Sequence, residues 1–345
     1  MRTAGPAVPA PSRARRFLLR FWGVLILLAS AGAAVLQVVG PPPAAPEPAA
    51  ASAAPPSSVP VPGPAGAPAA ATATPPAAAT SGDPLLEAGP YGMLPRIGPD
   101  GRTPIRAYGR AFDRNDTRPR IGLAVAGIGL SDSTTEEVMA TLPRPVALII
   151  SPYAPDPART AGAARAAGFE LLAGLPMEPA NFPLNDPGPR ALLTGAPDAA
   201  NADRLSWALS RFTGYVGVSA AIGGALRGER YAAMPQLLGQ LQEEIAARGL
   251  LYLDPRPGQP APARAWGRSV DLILDEPGGV RSLIEERLQR LEALAREHGS
   301  AMALAAQPSP TLVSAVAGWA AGLEARGAVL APISALIVKP QEAAR

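Results

Sequence analysis

The chain has 345 residues, a formal net charge of +3, no cysteine and one histidine, His298. Without cysteine there is no disulfide and no thiolate metal site, and one imidazole leaves little for a zinc site or a Ser–His pair. The basic residues are arginines apart from Lys339, and no basic patch is interleaved with aromatics, so nucleic acid is not an expected partner.

In chain order, residues 1–20 form a basic N-terminus expected in the cytoplasm: Arg2, Arg13, Arg15, Arg16 and Arg20 precede an apolar run over 21–40. A run of that length is enough for one membrane-spanning helix, and arginine on its near side only places the remainder of the chain across the membrane. The alternative is a signal peptide cut near Ala29-Ser30-Ala31. The first reading gives a single-pass inner-membrane protein facing the periplasm, the second a secreted one. Residues 41–85 are rich in Pro and Ala with few charges, so they are expected to be a disordered, semi-stiff spacer.

From residue 119 the pattern is regular. Strand-length apolar runs recur at 121–126, 146–151, 170–174, 215–219, 250–253, 270–274, 301–305 and 328–332. Helical spacing lies between them, most clearly over 199–212, 234–248, 280–298 and 311–326. Arg248-Gly249, His298-Gly299 and Arg326-Gly327 each put a cation and then a glycine at a helix end. Strands alternating with helices predict parallel pairing. Seven or eight such repeats predict an α/β fold, a distorted (β/α) barrel over 119–335, with an open doubly wound sheet as the alternative. Either architecture puts function at the C-terminal ends of the strands.

The first strand runs into Gly127-Ile128-Gly129, but Asp132 occupies the third glycine position of a dinucleotide fingerprint, so the glycines are expected to shape a tight turn before a helix capped by Ser131 or Asp132. Ser131, Ser151 and Ser219 lie near strand ends without a nucleophile elbow or a histidine base. His298 is expected to be a surface cation at a helix end.

The order of the turns carries a resemblance. LPMEP at 175–179 and NDPGPRALL at 185–193 are joined by GIGLSDS, LPRPVALIISPYAP, a glycine pair after YVGVS, LYLDPR, and QPSPT before a helix. Together they resemble the divergent polysaccharide deacetylase family, exported bacterial proteins of the NodB-homology superfamily. That resemblance implies a NodB-like barrel and divalent-metal-dependent removal of acetyl groups from sugars. It also implies two aspartates at the end of the first strand, where this chain has Ala126 and Gly127. Histidine commonly precedes LPMEP, where Gly174 stands. The Asn-His-Met-Gly-Ser turn is Ala220–Gly224, with Ala221 for histidine, and the Gly-His-Pro turn has Gln307.

A catalytic zinc takes three protein ligands of His, Cys or carboxylate type. No metal or other cofactor is therefore expected here, although the family implies one. Glu178, Asp254, Arg256 and Asp275 follow strands and match polar positions of the family pattern. They are read either as a cleft that binds a sugar, with Tyr153, Phe182 or Trp266 as a stacking face, or as a rim ion-pair network. Asp271 and Glu276 are expected on the solvated surface. The expected function is an envelope-side, catalytically degenerate member that binds a glycan or an envelope protein. The alternative is an active hydrolase that removes acetyl groups using Asp254, Asp275 and Glu178. A structural, spacer-mounted module is the third reading.

Overall fold

The computed structural model of the protein describes residues 83–276 and 278–340, with Trp22 besides. The expected anchor at 21–40 and the linker up to residue 82 lie otherwise outside the described residues. Among those described, no helix is long and apolar enough to cross a membrane. The chain divides into two units, 1–74 and 75–345, and the sheet and its helices belong to the second.

Ordered structure begins ahead of residue 119. Leu85 and Leu94 are buried, and β1 (Leu86–Gly89) pairs antiparallel with β2 (Gly92–Pro95). A short helix, α1 (Pro104–Tyr108), follows, its first turn capped by the Thr103 hydroxyl.

The repeats then run β3 (Arg120–Ile128), α2 (Asp132–Thr141), β4 (Ala147–Ile150), α3 (Pro157–Ala166), β5 (Glu170–Gly174), α4 (Asp198–Leu209) and β6 (Gly217–Ser219). After these come α5 (Glu229–Ala232), α6 (Pro235–Ala247), β7 (Leu251–Asp254), β8 (Gly267–Ser269), β9 (Leu272–Ile273), α7 (Arg281–His298), β10 (Ser300–Ala305), α8 (Pro310–Ala321) and β11 (Val329–Leu330). The strands form a curled sheet in the order β8-β7-β6-β5-β4-β3-β10-β9, with β11 also on β3. All its pairs are parallel, as the alternation of strands and helices predicts.

One stretch of chain serves both ends of this sheet. β8 pairs with β7, and β9, two residues on, pairs with β10. Between them the Val270 N–H donates to the Asp254 carbonyl and the Asp271 N–H to the Met302 carbonyl.

The period-two alternation of strand side chains separates two apolar layers. Leu123 and Val125 of β3, Leu148 and Ile150 of β4, and Leu171 of β5 face outward into the layer under the helices. Ala124 and Ala126, Ala147 and Ile149, and Leu172 point the other way, into a second cluster on the inside of the curl. Each fully buried leucine or isoleucine contributes about 1.5–3 kcal/mol relative to exposure.

The helix ends follow the sequence signals, with one exception. Ser131 caps α2, accepting from the Thr134 N–H, and Gly249 and Gly299 take φ of +68° and +76° after α6 and α7. The last helix, expected to reach Arg326, stops at Ala321. Glu292 of α7 is buried and accepts from Trp319 Nε1 at 2.6 Å and Arg326 Nη2 at 2.7 Å. Arg326 also donates to the Trp319 carbonyl, so the chain folds back over the helix end to reach Glu292. Burial raises the proton affinity of the Glu292 carboxyl, but the Arg326 and Trp319 hydrogen bonds outweigh it and hold its pKa below the ordinary value.

At the N-terminal end of the sheet, Glu170 is completely buried. Its carboxylate accepts from the Ser334 N–H at 3.0 Å, the Arg110 N–H at 3.1 Å and the Ser334 hydroxyl. It thereby ties β5 to the segment before β3 and to the chain after β11. Burial pushes its pKa up, and these hydrogen bonds only partly oppose the shift. The folded carboxyl thus keeps its proton after the unfolded chain has lost one. Its contribution is most favourable below the unfolded value of 4.5 and is lost as pH rises through the raised folded value. Glu170→Gln should flatten that decline. Unfolding free energies of wild type and variant from denaturant titrations above pH 4.5 should differ with a slope of at most about 1.4 kcal/mol per pH unit. Parallel pH profiles would contradict the assignment.

Candidate functional site

The C-terminal ends of the strands surround a cavity of about 520 Å³ whose lining includes Gly127, Ser131, Thr134, Tyr153, Gly223 and Gln307. Gly127, Ile222 and Gln307 of this lining are preceded in the chain by Ala126, Ala221 and Ala306, which are buried in the inner cluster with Leu253 and Leu304. Gly127 has φ +75° and Gly129 φ +89°, and α2 starts directly after them, so the Gly-Ile-Gly stretch is a tight turn. A Cβ on Gly127 would touch Gly223 Cα and Pro308 Cδ, each at 3.5 Å. A Cβ on Gly174 would stand 3.0 Å from the Ile150 carbonyl oxygen and 3.2 Å from Ile222, which leaves no room for an imidazole without rearrangement. Gln307 lies on the rim, its N–H donated to Asp275 at 2.8 Å.

None of the four polar candidates lines this cavity. Glu178 is buried, and its Oε2 accepts from the Thr194 N–H at 2.6 Å and the Thr194 hydroxyl at 2.7 Å. Its Oε1 lies 3.1 Å from Arg230 Nε, and its main-chain carbonyl accepts from the Arg230 and Tyr231 N–H groups. Glu178 therefore staples the LPMEP turn to the loop before α4 and to α5. Asp254 holds Arg256 through Nε at 3.0 Å, Nη2 at 2.7 Å and the main-chain N–H at 3.0 Å. Among the described residues Asp275 has no ion-pair partner. It accepts the Ala306 and Gln307 N–H groups, each at 2.8 Å, and so fixes the turn after β10. Burial pushes the Asp275 carboxyl above its ordinary pKa, against the pull of those two donors.

Two carboxylates expected on the solvated surface are partnered. Asp271 accepts the Met302 N–H at 2.6 Å and pairs with Arg268 at 3.2 Å. Glu276 pairs with Arg227, which also meets Glu229 at 3.3 Å.

The aromatic candidates separate. Tyr153 lines the cavity, its hydroxyl accepting from the Arg190 N–H at 3.1 Å and its ring 5.3 Å from that of Trp207. Phe182 does not line it. Trp266 lies at the other end of the sheet, because the loop after β7 runs back along that strand and Gly267 enters the sheet opposite Tyr252. His298 closes α7 as an exposed residue.

Two features escaped the sequence reading. Leu130 is 53% exposed on the cavity rim. The NDPGPR loop is braced by the N-terminal hairpin: Arg190 donates to Tyr91 at 3.3 Å and to Asp203 at 3.1 Å, and its guanidinium lies 5.2 Å from the Tyr91 ring. Leu130 stood out only as an apolar residue beyond the glycine turn, and nothing local in the sequence pairs Tyr91 with Arg190.

The profile of the divergent polysaccharide deacetylase family matches residues 123–337, well over half of the chain. The chain belongs to that family. A crystal structure of an uncharacterized protein from Agrobacterium tumefaciens C58 is 30% identical, with a TM-score of 0.64 over 71% of this chain and 99% of that one. The catalytic domain of peptidoglycan N-acetylglucosamine deacetylase from Eubacterium rectale ATCC 33656 aligns over 69% of this chain and 98% of that one, at 14% identity and a TM-score of 0.42. No protein of curated function matches the sequence.

The divalent metal that the superfamily implies does not fit the residues present. Among the described residues no group of three or more His, Asp or Glu side chains is placed to hold an ion. The positions at which the resemblance implies ligands or a base are Ala126, Gly127, Gly174, Ala221 and Gln307, none of them a carboxylate or an imidazole.

Gly127→Ala should lower stability by about 1–2 kcal/mol, because the left-handed conformation penalises any Cβ. Gly162→Ala, in α3 with nothing within 4 Å of the added carbon, should instead raise it by about 0.5–1 kcal/mol. Urea denaturation distinguishes the two; equal effects would contradict the turn geometry.

Proposed function

We propose that this chain is a deacetylase-family module of the cell envelope that has given up metal-assisted hydrolysis and binds glycan at the mouth of its sheet. The curled sheet is read as a distorted (β/α) barrel in which residues 267–274 supply the closing strand. The observation that carries the reading is the contrast at the mouth. The lining holds an aromatic face and hydroxyls, from Tyr153, Ser131, Thr134 and Ser151, with Asp186 its one carboxylate, while the residues next to Gly127 and Gln307 in the chain, Ala126 and Ala306, lie in a buried apolar layer. Hydroxyls, one carboxylate as an acceptor and one aromatic face suit a hydroxyl-rich ligand. The apolar segment at 21–40 and the Pro/Ala-rich stretch after it support a tethered, periplasmic placement, with secretion after cleavage as the alternative.

Peptidoglycan fragments and N-acetylglucosamine oligomers should bind the full chain in calorimetry. Leu130→Ala and Tyr153→Ala should each weaken binding, the latter by about tenfold. Leu130 is exposed, so its truncation leaves the fold as a control. Absence of binding to every fragment would remove the glycan reading and leave a protein partner.

A second reading has one observation in its favour. Burial raises the proton affinity of Asp275, behind the rim residue Gln307, which is the direction in which a carboxyl must shift to serve as a general acid. Acetate release from acetylated chitooligosaccharides that is lost in Asp275→Asn would establish it. The glycan-binding proposal expects no release above a buffer control, with or without added zinc.

A further inference from the structure

A cavity larger than the one at the mouth lies elsewhere in the domain. It measures about 890 Å³ and opens at the N-terminal ends of the strands, where its lining includes Ile97, Arg106, Phe112, Arg114, Trp266 and Ile337. Its character differs from the mouth in three ways. No carboxylate lines it. Arg106 and Arg114 are exposed, and among the described residues their side chains donate to no partner, whereas Arg110 is committed to the Gly168 carbonyl at 2.8 Å. Trp266 is 43% exposed and Ile97 40%, so apolar surface sits beside unpaired positive charge. An aromatic residue with neighbouring arginines at a wet, half-apolar surface is the arrangement that suits a bilayer interface, where the rings sit at headgroup level and the guanidinium groups meet phosphate.

The path of the chain points the same way. The first described residue of the domain, Asp83, accepts a hydrogen bond from Tyr108 at the end of α1, the helix that carries Arg106. Gly98, next to Ile97, packs against Leu85. The domain is therefore entered at the rim of this cavity, and the residues that precede Asp83 lead back to the apolar run at 21–40. The end at which the chain enters the domain thus carries two exposed arginines whose side chains have no partner among the described residues.

We propose that this end of the domain is a docking surface for anionic phospholipid, with Arg106 and Arg114 on the headgroup phosphates and Trp266 and Ile97 against the glycerol and acyl boundary. The mouth, at the opposite ends of the strands, then faces away from the bilayer. The proposal does not depend on what the mouth binds.

The test follows amide hydrogen exchange of the full chain with vesicles of phosphatidylcholine alone and of phosphatidylcholine with phosphatidylglycerol. Peptides covering 97–114 and 262–268 should exchange more slowly only with the anionic vesicles, while those covering 127–134 and 151–153 stay unchanged. Arg106→Gln and Arg114→Gln should each reduce the protection about fivefold. Both side chains are exposed and unpartnered, so unchanged exchange at the mouth reports an intact fold in the variants. Equal protection by both vesicle types, or none by either, would overturn the proposal. Protection by free glycerol phosphate in the presence of neutral vesicles would overturn it too, because it would assign the cavity to a soluble anion.

Discussion

The apolar filling inside the curl of the sheet is the constraint on which the rest of the molecule depends. Alternate residues of β3, β4, β5, β7 and β10 turn inward and meet in one cluster, and at its upper edge lie Ala126, Ala221 and Ala306. The family resemblance implies an aspartate at Ala126 and a histidine at Ala221, and Ala306 directly precedes Gln307, where it implies another histidine. Small and buried, the three alanines let the strand ends close over the core. An ionised carboxylate at any of them would be taken out of water without a partner, a cost of several kcal/mol. The same packing that stabilises the fold therefore disfavours a metal centre at that height.

The surviving carboxylates are held by a different logic. Glu178 takes a main-chain N–H and a hydroxyl from Thr194 and meets Arg230, Asp254 grips Arg256 twice, and Asp275 takes two successive N–H groups. Each buried backbone donor needs an acceptor, and leaving one unsatisfied costs about 1–3 kcal/mol. These residues are explained by the turns they hold together around the mouth. The hairpin adds one more brace, through Tyr91, Asp203 and Arg190, to the loop that packs beside Tyr153.

Much of the fold was legible because its signals are local. Runs of strand length, hydroxyl caps such as Ser131, and glycines after Arg248 and His298 are read within a few residues, and the structure places strands and helix ends there. The order of the turns was enough to indicate the family. What was not legible depends on distant partners. Glu170 meets Ser334 across most of the domain, Asp275 meets the turn after β10, and Arg326 reaches back to Glu292. None of these leaves a spacing to read. Trp266 was set at the wrong end of the sheet because the length of a loop does not reveal where the chain re-enters in register. The hairpin over 86–95 was passed over because four-residue strands in a Pro/Gly-rich context carry too little periodicity.

The central claim is that the mouth of this sheet holds no catalytic metal, and metal content tests it most directly. The full chain would be purified in neutral detergent, dialysed against trace zinc, cobalt and manganese, and analysed by elemental mass spectrometry. The account predicts retained metal far below one equivalent, unchanged when Asp275 or Glu178 is substituted. Close to one equivalent, lost on substitution of either carboxylate, would contradict it and would point to an unfamiliar ligand set.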